Sequence, residues 1–190
     1  MKYTTIQPPK SLAKYVRFFW VLEGEACMET PYIHRGMADG CAELVFHYTG
    51  IFDELLRNGI SEKSFTSGLD AQSDRYRRFC IDQNFGIFGA YLYPYAISHL
   101  FSIPATELKN QMLDLNTLLG KEENGLEEKM MLATDTPTRA KILTQFLEGR
   151  LNRTKYVRPG VFETINYIIE TKGMMRVNSL AQRSFLSVRQ

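Results

Sequence analysis

Two carboxylates, Asp39 and Glu43, flank the short stretch Gly40-Cys41-Ala42. A pair at this spacing could serve as general acid and general base, or hold a cation. The same residues also fit a turn at Asp39-Gly40 leading into a strand, with Glu43 paired to a basic neighbour. The three histidines, His34, His47 and His99, lie far apart in the sequence, and no His-x-His pair with a nearby glutamate marks a metal-binding barrel. Each reads as a hydrogen-bonded structural histidine. No G-x-S-x-G or G-x-x-x-x-G-K-[ST] motif occurs, and Gly86-Ile87-Phe88-Gly89 lies within a strand pattern rather than before a helix. No cofactor is implied. Three separated cysteines, Cys27, Cys41 and Cys80, form no C-x-x-C pair, which fits a reduced, cytoplasmic setting.

The elements around these residues change character along the chain. Up to Pro94 the pattern is β. Segments 15–27, 41–50, 62–68, 75–81 and 84–94 read as short strands separated by loops rich in Gly, Asp and Ser, the spacing of a sandwich or barrel. In 75–81, Tyr76 and Arg78 share one side, and Arg77 and Phe79 the other. Consecutive aromatics such as Phe18-Phe19-Trp20 cannot all point the same way. Some must line a pocket, pack under helices or form an interface. Trp20, Glu43, Phe46, Phe88 and Tyr91 are the candidates for a pocket between strands.

From Pro94 the period becomes helical. Residues 95–101 predict a short helix, and another starts just after Pro104. Asp114 caps 115–119, which Gly120 ends. Thr136-Pro137 opens a helix with its apolar stripe at Ile142, Leu143, Phe146, Leu147 and Leu151. A break at 152–158 precedes a helix from Pro159 with Val161, Ile165, Ile168 and Ile169 as its stripe, and a last helix begins near Val177.

Charge divides the chain as well. From Arg150 to Gln190 eight Lys/Arg face only Glu163 and Glu170, while the first 149 residues hold 15 basic and 19 acidic groups. A basic end on an acidic body fits a polyanion-binding module beside something else. A solvated helical surface fits it equally. The N-terminus has no apolar signal region, and the run 15–24 is too short to span a bilayer.

The segment INYIIETKGMMRVNSLAQRSFLSVRQ has helix-turn-helix logic. Val177–Ser184 would be the first helix, Phe185-Leu186 the turn, and Ser187 the cap of a second helix. Ile169, Gly173, Val177, Leu180, Ala181, Ser187, Arg189 and Gln190 occupy the places that mark the opening of an AraC/XylS-type DNA-binding domain. Upstream, IQPPKSLAKYVRFFW, DGCAELVFHYTG, LFSIPATELKNQMLDLNTLLG and RAKILTQFLEGRL are similar, in order, to the N-terminal domain of one branch of these regulators. The chain thus resembles that family over nearly its whole length.

The resemblance implies an α+β protein in two parts. Residues 1–155 would be an effector-sensing and dimerisation domain, β-rich and cupin-like over 1–94 and helical over 95–155. Residues 156–190 would begin a helix-turn-helix domain whose remainder is missing, with Arg176, Ser187, Arg189 and Gln190 as DNA-binding residues. It implies a cytoplasmic, non-enzymatic transcription regulator. Its partners would be double-stranded DNA, a small effector and a second copy of itself. Two departures stand out. Phe185 sits where the family often has a small residue, and Tyr91 where relatives often carry Arg. Two other readings remain open: a barrel-type enzyme using Asp39 and Glu43, and a dimerisation module built on the helices of 137–151 and 159–172.

Overall fold

The computed structural model describes residues 1–120, 125–153 and 159–188. These divide into two compact units, Met1–Arg153 and Thr154–Gln190. The first is a two-sheet β structure with a helical layer, and the sheets do not close into a barrel. Among the described residues there are ten strands: β1 Lys2–Ile6, β2 Val16–Gly24, β3 Tyr32–Gly36, β4 Ala42–Thr49, β5 Asp53–Leu55, β6 Ser61–Lys63, β7 Ser67–Asp70, β8 Arg77–Ile81, β9 Phe85–Leu92 and β10 Met112–Asp114. One antiparallel sheet has the order β1-β2-β9-β4-β7-β10, and the other β3-β8-β5-β6.

The large sheet is covered on both faces, so its central strand β9 has no charged or strongly polar residue, while β4 is apolar apart from Glu43, His47 and its end at Tyr48-Thr49. Residues of one parity face the second sheet. Trp20, Leu22, Val45, Ile87 and Phe85 pack there with Phe52 and Ile81. Residues of the other parity, Phe19, Val21, Leu44, Phe46, Phe88 and Ala90, meet the helices. That layer consists of α1 Ala96–Phe101, α2 Leu115–Leu119, α3 Leu126–Leu132 and α4 Thr136–Arg153. It contributes Ile97, Leu100, Leu118, Met130, Leu143 and Leu147 to the core.

Several local signals act as their chemistry requires. The Asp114 side chain accepts from Thr117 N–H at the start of α2, and Gly120 ends it at φ +54°. Asp135 accepts from Thr138 N–H at 2.7 Å and caps α4. The expectation of a helix from Pro104 is corrected. Only a 3-10 turn, Ala105–Leu108, forms before the chain enters β10. There pairing with β7 overrides helical propensity. Gly68 makes the pairing possible, since a Cβ at that position would lie 2.2 Å from the Leu113 carbonyl oxygen. Segment 62–68 likewise divides into β6 and β7, which belong to different sheets.

Arg139 joins the helices to the large sheet. It is buried, and its guanidinium donates to the Met130 and Ala133 carbonyls at the end of α3. The same group lies 3.7 Å over the Tyr48 ring, whose hydroxyl donates to Glu23. Arg139→Met keeps the aliphatic bulk but leaves two helix-end carbonyls without a donor. It is expected to destabilise the unit by about 2–3 kcal/mol. A urea midpoint within error of the parent would count against this clamp.

The second unit holds α5 Pro159–Glu170 and α6 Val177–Ser184. Gly173, at φ +75°, follows α5 and donates its N–H to the Ile168 carbonyl. The two helices meet closely: a Cβ on Gly160 would sit 2.7 Å from the Ser184 carbonyl oxygen. Thr164 donates to the Ser184 hydroxyl at 2.5 Å. Arg183 lies 4.7 Å from the Tyr167 ring centroid. Ile168 and Ile169, expected in an inward stripe, are exposed. Phe185 ends α6 in the left-handed region at φ +54°, with Leu186 N–H returning to the Ala181 carbonyl. That conformation explains why a small residue would suit position 185.

Candidate functional site

Antiparallel register sets three strands of the large sheet side by side. Trp20 pairs with Gly89, and Gly89 with Val45. One step along, Glu43 lies between Tyr91 on β9 and Asp70 on β7. All of these positions share the face turned to the second sheet, from which His34 and Phe79 enter. Between the sheets is a cavity of about 50 Å³, with Leu22, Val45, Phe52, Phe79 and Ile87 forming its apolar wall. That exceeds the roughly 10–15 Å³ a cavity needs to hold a first water, and is enough for a few water-sized groups.

The polar groups gather at one end. Glu43 lines both this cavity and an outer mouth bounded by Met37, Asp39, Cys41 and Arg75, so what surface it keeps opens into that passage. Burial, reinforced by the nearby Asp70 and Asp39 carboxylates, pushes its pKa up to about 8. At neutral pH the side chain is therefore mostly a neutral acid. Among the described residues no ion pair reaches it. Asp70 is different, because Arg77 Nη1 donates to it. Even so, burial outweighs that pairing and raises Asp70 to about 6. Arg77 is shared, since its Nε also donates to Glu54 at 2.8 Å. One guanidinium thus serves two carboxylates.

Two histidines face the same space. His47 donates from Nδ1 to the Thr66 carbonyl at 3.2 Å, which leaves Nε2 as an acceptor. Burial lowers the pKa of both His47 and His34, so they are neutral at pH 7. The Trp20 indole N–H is buried, and no described group completes a hydrogen bond with it. It lies near enough to the Glu43 carboxyl to favour the ionised form, as the weakest of the influences on that group. The indole rests against the β9 backbone: a Cβ on Gly89 would meet Trp20 Cε2 at 2.4 Å.

Of the five residues expected to line a pocket, the structure brings Trp20 and Glu43 together at the cavity. Tyr91 lies on the same face but nearer the mouth. Its ring stacks on Phe18 at 4.8 Å and its hydroxyl donates to Asp39 at 2.5 Å. Phe46 and Phe88 belong to the opposite face, fully buried under the helices. The pleat is the reason, because even-numbered residues of β4 and β9 point away from odd-numbered ones. The pocket reading missed Asp70 and His34, which line the cavity, and Arg77, which lies at its outer mouth. Arg77 and Phe79 do share a side, at 5.1 Å, as alternation requires. The Glu43–Asp70 juxtaposition carries no local signal, since it arises from register alone.

Asp39 is engaged at both oxygens. Oδ1 accepts from Cys41 N–H at 3.0 Å, while Oδ2 accepts from Tyr91 and lies 3.9 Å from Arg17. It holds the turn before β4. Among the described residues, no group of His, Cys, Asp and Glu side chains could hold a metal ion. On the second unit, Arg176 and Ser187 are exposed, and Arg189 and Gln190 lie outside the described residues. No described helix is long and apolar enough to cross a membrane.

Among solved structures, the AraC-like transcriptional activator CuxR aligns at a TM-score of 0.37 and 10% identity, covering 99% of this chain and 85% of that one. ToxT K231A from Vibrio cholerae strain SCE256 aligns at a TM-score of 0.41 and 13% identity, covering 89% and 71%. ToxT from Vibrio cholerae O395 bound to (E)-4-(8-methylnaphthalen-1-yl)but-3-enoic acid aligns at 0.38 and 11%, covering 98% and 73%. Among curated proteins, no match is found. A family model described as a domain of unknown function, DUF6597, matches residues 4–114, which is more than half of the chain, and the chain belongs to that family.

Proposed function

We propose that this chain is the regulatory part of an AraC-type transcription regulator, joined to the opening helices of its DNA reader. The observation that carries the reading is the second unit. The positions that resemble the AraC/XylS pattern, Gly173, Val177, Leu180 and Ala181, fall on the α5–α6 connection and on α6, and Gly173 has the positive φ that calls for glycine. The first unit supports a sensing role. It holds a cavity between sheets whose polar groups converge on one end. On this reading the protein is cytoplasmic, works on double-stranded DNA, forms a homodimer and performs no turnover. Arg176, Ser187, Arg189 and Gln190 belong to the DNA-facing side.

On this reading the described helices of residues 159–188, α5 and α6, offer DNA mainly backbone electrostatic contact. The 190-residue chain is expected to bind duplex DNA with a Kd in the micromolar range or weaker at physiological salt. Differences among unrelated sequences should stay under about threefold. Anisotropy titrations with labelled duplexes measure this. Nanomolar, sequence-specific binding by this chain would defeat the proposal as stated.

The enzyme reading has less support. Asp39 is fixed by Cys41, Tyr91 and Arg17, and so is not available as the partner base of Glu43.

A further inference from the structure

We infer that the cavity between the two sheets takes a small organic cation, an alkylammonium of about four heavy atoms, with its charge against Glu43 and its alkyl part among Leu22, Val45, Phe52 and Ile87. This deepens the reading of the cavity as an effector site and rests on it.

The geometry sets size and charge separately. A cavity of about 50 Å³ suits a ligand of a few heavy atoms better than a drug-sized one. Charge follows from what faces Glu43. β4 itself adds only neutral His47, β3 neutral His34, and β9 the phenol of Tyr91. β7 adds Asp70, β8 adds Arg77 and β5 adds Glu54. Arg77 is already divided between those two carboxylates. Asp39, before β4, is held by Arg17 and Tyr91, and β1 contributes the Tyr3 phenol, whose ring lies 6.3 Å from Trp20. Of the two outer arginines, Arg75 is exposed at the mouth. The cavity therefore has an acid that no cation among the described residues pairs.

Beside Glu43, the buried indole N–H of Trp20 falls short of a full hydrogen bond yet lies near enough to favour the ionised carboxylate. It is placed to hold the Glu43 carboxylate once a cation draws that group into its ionised form.

Binding then expels one proton from Glu43. The alkylammonium stays charged throughout, like a lysine side chain. Affinity should rise up to about tenfold per pH unit below pH 8, where Glu43 titrates. With about four heavy atoms, the tightest Kd attainable is on the order of tens of micromolar.

Trp20 is the only tryptophan, so its emission reports occupancy of the cavity directly. The experiment titrates the whole 190-residue chain with propylammonium, 1-propanol and propionate at pH 6, 7 and 8 and fixed ionic strength. Propylammonium is expected to change the emission with a half-saturation of about 0.1–5 mM that tightens with pH, while propanol binds at least tenfold more weakly with no pH slope. Glu43→Gln should remove both the preference and the slope. If that variant does not fold, the pH series on the parent protein decides by itself. Propanol or propionate binding as well as propylammonium would overturn the inference and leave a ligand cavity standing. Silence from all three would overturn it too, and the regulator reading would still rest on the DNA titration.

Discussion

Phe88→Ala is expected to destabilise the first unit by about 3–5 kcal/mol. Phe88 lies at the middle of β9, which runs between β2 and β4 in the large sheet. Its side chain is fully buried and stacks on Phe19 with ring centroids 6.0 Å apart. Helices above and the sheet below leave little room for collapse, so truncation creates a void as well as losing transfer free energy. Trp20 belongs to this unit alone, so its emission follows the unit's unfolding in urea. A loss below about 1 kcal/mol would mean that Phe88 is not in the helix-facing core.

Glu43→Gln is expected to change how stability depends on pH. In the folded protein Glu43 titrates near 8, against 4.5 as its ordinary value. The folded state therefore keeps a proton that the unfolded chain gives up in between. Its contribution to stability falls as pH rises through that window, by at most about 1.4 kcal/mol per pH unit. Asp70 acts in the same direction, but only up to about pH 6. His34 and His47 act in the opposite direction. Their folded pKa values lie below the ordinary 6.5, so stability rises with pH until the unfolded histidines are neutral. Cys41, pushed up to about 11 by burial, matters only at higher pH.

From pH 6.5 to 8, then, Glu43 is the group in the cavity that titrates. Relative to Glu43→Gln, the parent protein should lose on the order of 2 kcal/mol over that range, since the histidine contribution is common to both. For a chain of this size that is a fall of about 4–8 °C in Tm. Parallel melting curves for parent and variant over the range would show that Glu43 is not enclosed as described.

Local sequence carried the long elements well. Segments 15–27, 41–50 and 84–94 contain β2, β4 and β9, because aromatic and β-branched runs bounded by turn residues have few other uses. Helix ends were equally legible, with Asp114, Gly120 and Thr136 standing within a residue of the boundaries they mark. The short strands β1, β3, β5 and β10 were not. At three to five residues they owe their existence to a neighbour in the sheet rather than to their own composition.

The pocket shows a subtler limit. Strands buried on both sides lose the polar/apolar alternation that separates faces, so Phe46 and Phe88 read like Trp20. Parity still holds where hydropathy fails. Glu43 and Phe46 stand three apart and cannot share a face of a regular strand, nor can Phe88 and Tyr91. Asp70 and Arg77 needed more than parity. Asp70 owes its place beside Glu43 to strand order across the large sheet, and Arg77, on β8, owes its place to the packing of the second sheet, which is global information.

The seat of Trp20 on Gly89 has a mechanical side. With no side chain between them, the indole bears directly on the main chain of β9. An occupant that presses on the ring loads that backbone rather than a yielding rotamer. The next residue along, Phe88, projects from the far side of the same strand into the layer held by α1 to α4. Strain from the cavity thus has a short, stiff path through a single peptide unit to the helices on the other side.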